Sequence, residues 1–144
     1  MKSVCISHVK DVDGLAAAAI VSAAIGAKVV LSDYEDLLEN LSKVDDFDEF
    51  VLCDLGADNS NIDGFLHEMG RLAARGKVTY VDHHFMAAST KRKLAKAGVS
   101  LVHDPDECSS MLAYSTFKEK LPARATLLAL YGAVTDYKIG RAHV

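Results

Sequence analysis

Asp82, His83 and His84 follow directly on the apolar run Val78-Thr79-Tyr80-Val81, so a segment suited to burial ends in a carboxyl and two imidazoles. Two earlier apolar runs end alike. Ser3-Val4-Cys5-Ile6-Ser7 gives way to His8, Asp11 and Asp13, and Phe50-Val51-Leu52-Cys53 gives way to Asp54. In an open α/β sheet ligands bind outside the carboxyl ends of the strands, so these runs would bring acids and imidazoles to one edge. Gathered there with Asp136, the acids need neutralising: two carboxylates about 5 Å apart at an effective dielectric of about 20 repel by roughly 3 kcal/mol. Protonation could silence one or two of them, but four or more acids with two imidazoles are more readily held by divalent cations. Oxygen-rich ligation with an imidazole or two suits Mn2+ or Mg2+ better than thiolate-preferring zinc. Two such ions about 3.5 to 4 Å apart activate a water and stabilise phosphoryl oxygens, which is phosphoester-hydrolysing chemistry.

The elements that must position these residues alternate in strand and helix period, the pattern of an α/β fold with a five-stranded, mainly parallel sheet and helices on both faces. Strands are expected at Lys2 to Ser7, Lys28 to Leu31, Glu49 to Asp54, Lys77 to Val81 and Val99 to Val102, each short and rich in Val, Ile or Leu. Gly26, Gly76 and Gly98 precede three of them and read as left-handed helix stops. Helices are expected at Gly14 to Ile25, Ile62 to Arg75, Thr90 to Ala97, Ser109 to Lys120 and Ala123 to Thr135, with Pro122 suited to the first turn of the last. The acidic stretch Asp33 to Asp48 holds one short helix with Leu37, Leu38 and Leu41 inward, then a solvated turn.

A chain of 144 residues, half of them hydrophobic, fits one domain with a continuous core. The net charge of -4 and the lack of a long Lys/Arg block argue against gripping a long polyphosphate by counterion release. Cys5, Cys53 and Cys108 show no paired spacing and read as reduced, core-filling thiols of a cytoplasmic protein. No signal-peptide stretch or run of about 18 apolar residues appears, so a soluble protein without membrane partners is expected.

Four motifs in order make the chain resemble the DHH phosphoesterase superfamily, which includes RecJ-like single-strand exonucleases, oligoribonucleases that also cleave phosphoadenosine phosphate, and family II inorganic pyrophosphatases. They are His8 with Asp11, Asp13 and Gly14; Asp54 within Cys53-Asp54-Leu55-Gly56; Asp82-His83-His84; and Asp136 after the apolar segment Leu127 to Val134. Cys108-Ser109-Ser110-Met111 resembles the family's serine-rich helix start. Val9 and Lys10 separate His8 from Asp11, a spacing between those of RecJ-like members and of the pyrophosphatases. The resemblance implies a Rossmann-like three-layer domain spanning residues 1 to 144 and two Mn2+ or Mg2+ ions. It also implies that His8 and Asp11 ligate one ion, that Asp13, His83 and Asp136 ligate the other, and that Asp54 bridges both. Asp82 then orients an imidazole, and His84 faces the substrate as a donor to phosphate or leaving group. A hydroxide between the ions attacks in line. Family members normally continue into a smaller substrate-binding domain; its absence makes the chain a fragment or a minimal member. A homo-oligomer, a partner subunit or the tail Arg141 to Val144 then holds the substrate.

Blander readings stand beside these. Ser109 and Ser110 form a helix N-cap pair that is also suited to substrate phosphate. His67 at helical spacing and His103 before a turn read as solvated, and Lys91, Arg92 and Lys93 as a solvated helix face. The expected activity is metal-dependent hydrolysis of phosphodiester bonds in short or single-stranded nucleic acid. The alternatives are hydrolysis of a small phosphate compound, such as pyrophosphate or a nucleoside bisphosphate, and a non-catalytic scaffold of the same fold in a nucleic-acid complex.

Overall fold

Phe50 and Leu52 point into one apolar core while Val51 and Cys53, their neighbours along the same strand, point into another. That two-residue period, repeated by Ile6 against Cys5 and by Tyr80 against Val81, requires a sheet covered on both faces. The structure, a computed structural model, describes residues 1–57 and 61–135. Asp136 and the tail Arg141 to Val144 lie outside the described residues.

The elements run β1 (Ser3–His8), α1 (Val12–Ile25), β2 (Lys28–Ser32), α2 (Leu37–Ser42), β3 (Glu49–Cys53), α3 (Ile62–Ala73), β4 (Lys77–Asp82), α4 (Ala88–Ala97), β5 (Ser100–His103), α5 (Ser109–Phe117) and α6 (Ala125–Thr135). All five strands are parallel, in the order β2-β1-β3-β4-β5. Phe65, Met69 and Leu72 of α3 and Leu94 of α4 pack on the Phe50 side. Ala17, Ile20 and Val21 of α1, with Ala113 of α5 and Ala129 of α6, pack on the Cys53 side. Each fully buried large side chain contributes about 1.5 to 3 kcal/mol of transfer free energy.

The order of the strands decides where a ligand fits. The chain leaves β1 through α1 on one face and leaves β3 through α3 on the other, although β1 and β3 are adjacent. Their connections part at the carboxyl ends and leave a crevice there, the switch point of a doubly wound sheet. His8 closes β1 and Asp54 follows β3, so the crevice opens between two of the expected motifs.

The strands lie within two residues of their expected bounds, and the short helix at Leu37–Ser42 buries Leu37 and Leu41 and half-buries Leu38. Three details differ. Gly26 and Gly98 adopt positive φ (65° and 97°), but Gly76 does not. A Cβ there would lie 2.8 Å from the Phe47 ring and 2.9 Å from the Asp48 carbonyl, so close approach explains this glycine. The last turn expected of α5 tightens into a 3₁₀ segment, Lys118–Lys120. Pro122 lies ahead of α6, and its carbonyl accepts from the Ala125 amide. Among the described residues no helix is long and apolar enough to cross a membrane.

Candidate metal centre

α1 starts hard against the end of β1. A Cβ on Gly14 would lie 2.3 Å from the His8 carbonyl oxygen, so only glycine admits this approach. The Ser7 hydroxyl donates to the Gly14 carbonyl at 2.6 Å, and Asp11 caps α1 by accepting from the Gly14 amide at 2.7 Å. These local bonds hold His8, Asp11 and Asp13 within one turn of each other. Asp54 sits beyond β3 with a φ of 58°, a left-handed conformation that costs a non-glycine residue about 1 to 3 kcal/mol. The strain is held by both neighbours: the Asp54 amide donates to the Val81 carbonyl at 3.0 Å, and the Tyr80 hydroxyl donates to the Leu55 carbonyl at 2.6 Å.

Asp54 is the hub. Its Oδ2 lies 3.8 Å from His8 Nδ1, and its Oδ1 lies 3.2 Å from His83 Nε2 and accepts from the Ser109 hydroxyl at 2.9 Å. His8 Nδ1 is 3.3 Å from Asp11 Oδ2, and His83 Nε2 is 3.7 Å from Asp13 Oδ2. Two sets of donors able to share a cation follow: His8, Asp11 and Asp54 on one side, and Asp54, His83 and His84 on the other. Asp13, buried, takes the Ser109 and Ser110 amides on its two oxygens at 3.0 and 2.9 Å. Its carboxylate thereby occupies the positive end of α5. With those amides on Asp13 and the Ser109 hydroxyl on Asp54, the two serines position carboxylates. α6 closes over them: a Cβ on Gly132 would lie 2.0 Å from Ser110 Oγ and 2.9 Å from Asp13 Oδ1.

Asp82 engages His84 twice, its Oδ1 lying 2.7 Å from Nδ1 and its Oδ2 accepting from the His84 amide at 3.2 Å. This carboxyl holds the His84 pKa above the ordinary imidazole value. The His83 and His84 rings pack with centroids 4.4 Å apart. Burial, together with Asp13 and Asp11, pushes the Asp54 carboxyl up to about 10. Burial opposes ionisation of Asp11 too, but the neighbouring Asp54, the Gly14 amide and His8 hold it below the usual carboxylate range.

Both ring nitrogens of His8 and Asp54 Oδ2 are buried with no hydrogen-bond partner. Each such atom costs about 1 to 3 kcal/mol. Three of them on oxygen and imidazole groups, one belonging to an acid whose ionisation burial opposes, fit a divalent cation.

Three neighbours of the site escape the sequence reading. Asp33, one residue past β2, lies with Oδ1 3.8 Å from His8 Nε2 and with Oδ2 on Lys10 Nζ at 2.7 Å. The same strand-end rule that picks out Asp54 applies to it. Tyr34 sets its ring edge-on to His8 at 5.4 Å, and its hydroxyl accepts from the Gly56 amide at 2.9 Å; nothing in the sequence signals this. His103 is half-buried rather than solvated and reaches the His84 carbonyl. His67 is exposed, as expected.

No curated protein matches the chain. Among solved structures, an uncharacterised protein of Helicobacter pylori is 19% identical with a TM-score of 0.54, over 88% of this chain and 40% of that one. This chain therefore spans well under half of that protein's length. A Burkholderia pseudomallei chain described as pilus assembly-related is 17% identical with a TM-score of 0.52, over 90% of this chain and 92% of that one. Both likenesses are of fold. The model of the DHH family N-terminal domain matches residues 2–134, which takes in the His8, Asp54 and Asp82-His83-His84 motifs together. The chain belongs to the DHH family.

Proposed function

We propose that this chain is a divalent-metal-dependent phosphoesterase that hydrolyses phosphodiester bonds in short or single-stranded nucleic acid. The observation that carries the reading is the convergence on Asp54: unpartnered buried nitrogens of His8 on one side, Asp13 and His83 on the other. His8, Asp11 and Asp54 would hold one ion, and Asp54 with Asp13 and His83 the second; Asp136 is the further ligand that the family resemblance implies for the second set. Ions bound there supply an activated water and stabilise charge on the phosphoryl oxygens.

The chain's own residues do the remaining work. α5 fixes Asp13 through two amides, and the Ser109 hydroxyl fixes Asp54, so the carboxylates are placed before any ligand arrives. Asp82 stabilises the charged form of His84 and so raises its pKa above the ordinary imidazole value, and the ring nitrogen that Asp82 leaves open can pass a proton to a leaving oxygen. Tyr34 and Asp33 wall the outer side of His8.

One observation favours the small-phosphate reading. Lys10, the cation of the first motif loop, is tied to Asp33 and adds no net positive charge for a trailing polyanion. Release of mononucleotides from a labelled single strand, set against release of phosphate from pyrophosphate and from a nucleoside bisphosphate, all with Mn2+, decides the substrate. Mononucleotides are expected. Phosphate release alone replaces that reading with the second one, and Mn2+ binding without either product leaves a scaffold.

A further inference from the structure

A residue whose side chain is to deliver a proton needs its backbone held as well as its ring, which packs on His83. The next residue, Phe85, is 82% exposed. β4 ends at Asp82, whose ladder partner on the edge strand β5 is His103. The His84 carbonyl lies past that last pair, where no strand is left to donate to it. The His103 imidazole does so instead, Nε2 to the His84 oxygen at 2.5 Å. A carbonyl only accepts, so Nε2 carries the hydrogen. His103 Nδ1 is meanwhile buried without a partner, a cost that folding alone would remove by placing an apolar residue there.

We infer that His103 is a positioning residue for His84: its Nε2–H clamps the His84–Phe85 peptide and so aims the His84 ring. The inference rests on the phosphoesterase reading for its consequence in turnover but not for the clamp itself. His84 is then held at its amide and at Nδ1 by Asp82 and at its carbonyl by His103, which leaves the outer ring nitrogen as the group free to meet substrate. Asp104 secures the other side of the same turn, its amide donating to the Asp82 carbonyl at 3.4 Å. Pre-organisation of this kind matters because a misplacement of about 1 Å costs roughly 100-fold in rate.

Two amide substitutions in the full chain separate positioning from bulk. The Gln side-chain nitrogen in His103→Gln falls where Nε2 was, whereas that of His103→Asn falls where Nδ1 was. Hydrogen exchange of the His84 and Asp104 amides, the hydrogen-bonded donors of this turn, is measured alongside Mn2+ affinity and hydrolysis of bis(p-nitrophenyl) phosphate. His103→Asn is expected to speed exchange about tenfold and lower kcat by roughly 10- to 100-fold, with KM and Mn2+ affinity within about twofold. His103→Gln is expected to stay near the wild type in all four. Equal behaviour of the two variants, or unchanged exchange in His103→Asn, overturns the clamp. If His103→Asn does not fold, His103→Gln decides: wild-type exchange upholds the clamp and faster exchange overturns it. If the wild type hydrolyses nothing, the phosphoesterase reading falls while the exchange result still judges His103.

Discussion

Asp13 and His8 flank the same carboxyl, yet one is fully provided for by protein groups and the other is not. Asp13 receives two backbone amides from the start of α5, while both nitrogens of His8 are buried without a hydrogen bond. The Asp13 side is thus a piece of the fold: its geometry is set by helix packing and survives with nothing bound. The His8 side leaves lone pairs open to a ligand of opposite demand, as a cation would be. Asp54 belongs to both sides, and burial first, then Asp13 and Asp11, drive its carboxyl high when protein groups alone surround it. The difference teaches that the two ligand sets of one site lean on the fold to different degrees.

The largest effect should come at the shared residue. Asp54→Asn is expected to cut Mn2+-dependent turnover by more than the roughly 100-fold that losing an outer-shell partner of a metal ligand costs, as steady-state kinetics would read. Substitutions on the two flanks should then diverge. Asp13→Asn keeps one acceptor but turns an NH2 group toward a backbone amide, so denaturant unfolding should show a loss of about 1 to 3 kcal/mol in metal-free protein. His8→Leu removes two unpartnered nitrogens and should leave that stability unchanged or raised while weakening Mn2+ binding in calorimetry. If both variants lose stability alike, the division of labour is wrong. Gly132→Ala sharpens the same contrast from outside. It forces a methyl into Ser110 and against Asp13, and should cost about 1 to 3 kcal/mol without removing any ligand group. The smallest effect is expected from Asp82→Asn, which removes the carboxyl that raises the His84 pKa and should move the alkaline limb of the pH–rate profile toward lower pH.

Much of this was legible in the sequence because burial writes a plain signal. Five apolar runs gave five parallel strands, and acids at the ends of β1, β3 and β4 met at the crevice because strand ends in a parallel sheet share one edge. What stayed hidden depends on contacts between distant segments. The Asp13 carboxylate meets amides nearly a hundred residues away, and the His103 bond depends on which strand lies at the sheet's edge. Spacing carries neither. Gly76 shows the reverse failure: a glycine before a strand looks like a left-handed stop, but here the Phe47 ring explains it. Asp33 obeys the strand-end rule that picks out Asp54, but the acidic stretch around it masks the signal.

The account stands or falls on a cation completing what the protein leaves open around Asp54, and melting temperature against pH with and without Mn2+ tests that most directly. Because the folded carboxyl holds its proton up to about 10 while an unfolded one releases it near 3.8, the fold binds more protons than the open chain throughout that range. Stability of chelator-stripped protein therefore falls as pH rises, by at most about 1.4 kcal/mol per unit from this group. His84, also raised, loses its contribution in the same direction as pH climbs through its folded value. Mn2+ competes with the Asp54 proton, so its stabilisation should grow as pH increases, and Asp54→Asn should flatten both curves. Superimposable curves with and without Mn2+ from about pH 5 to about pH 9 would contradict the account.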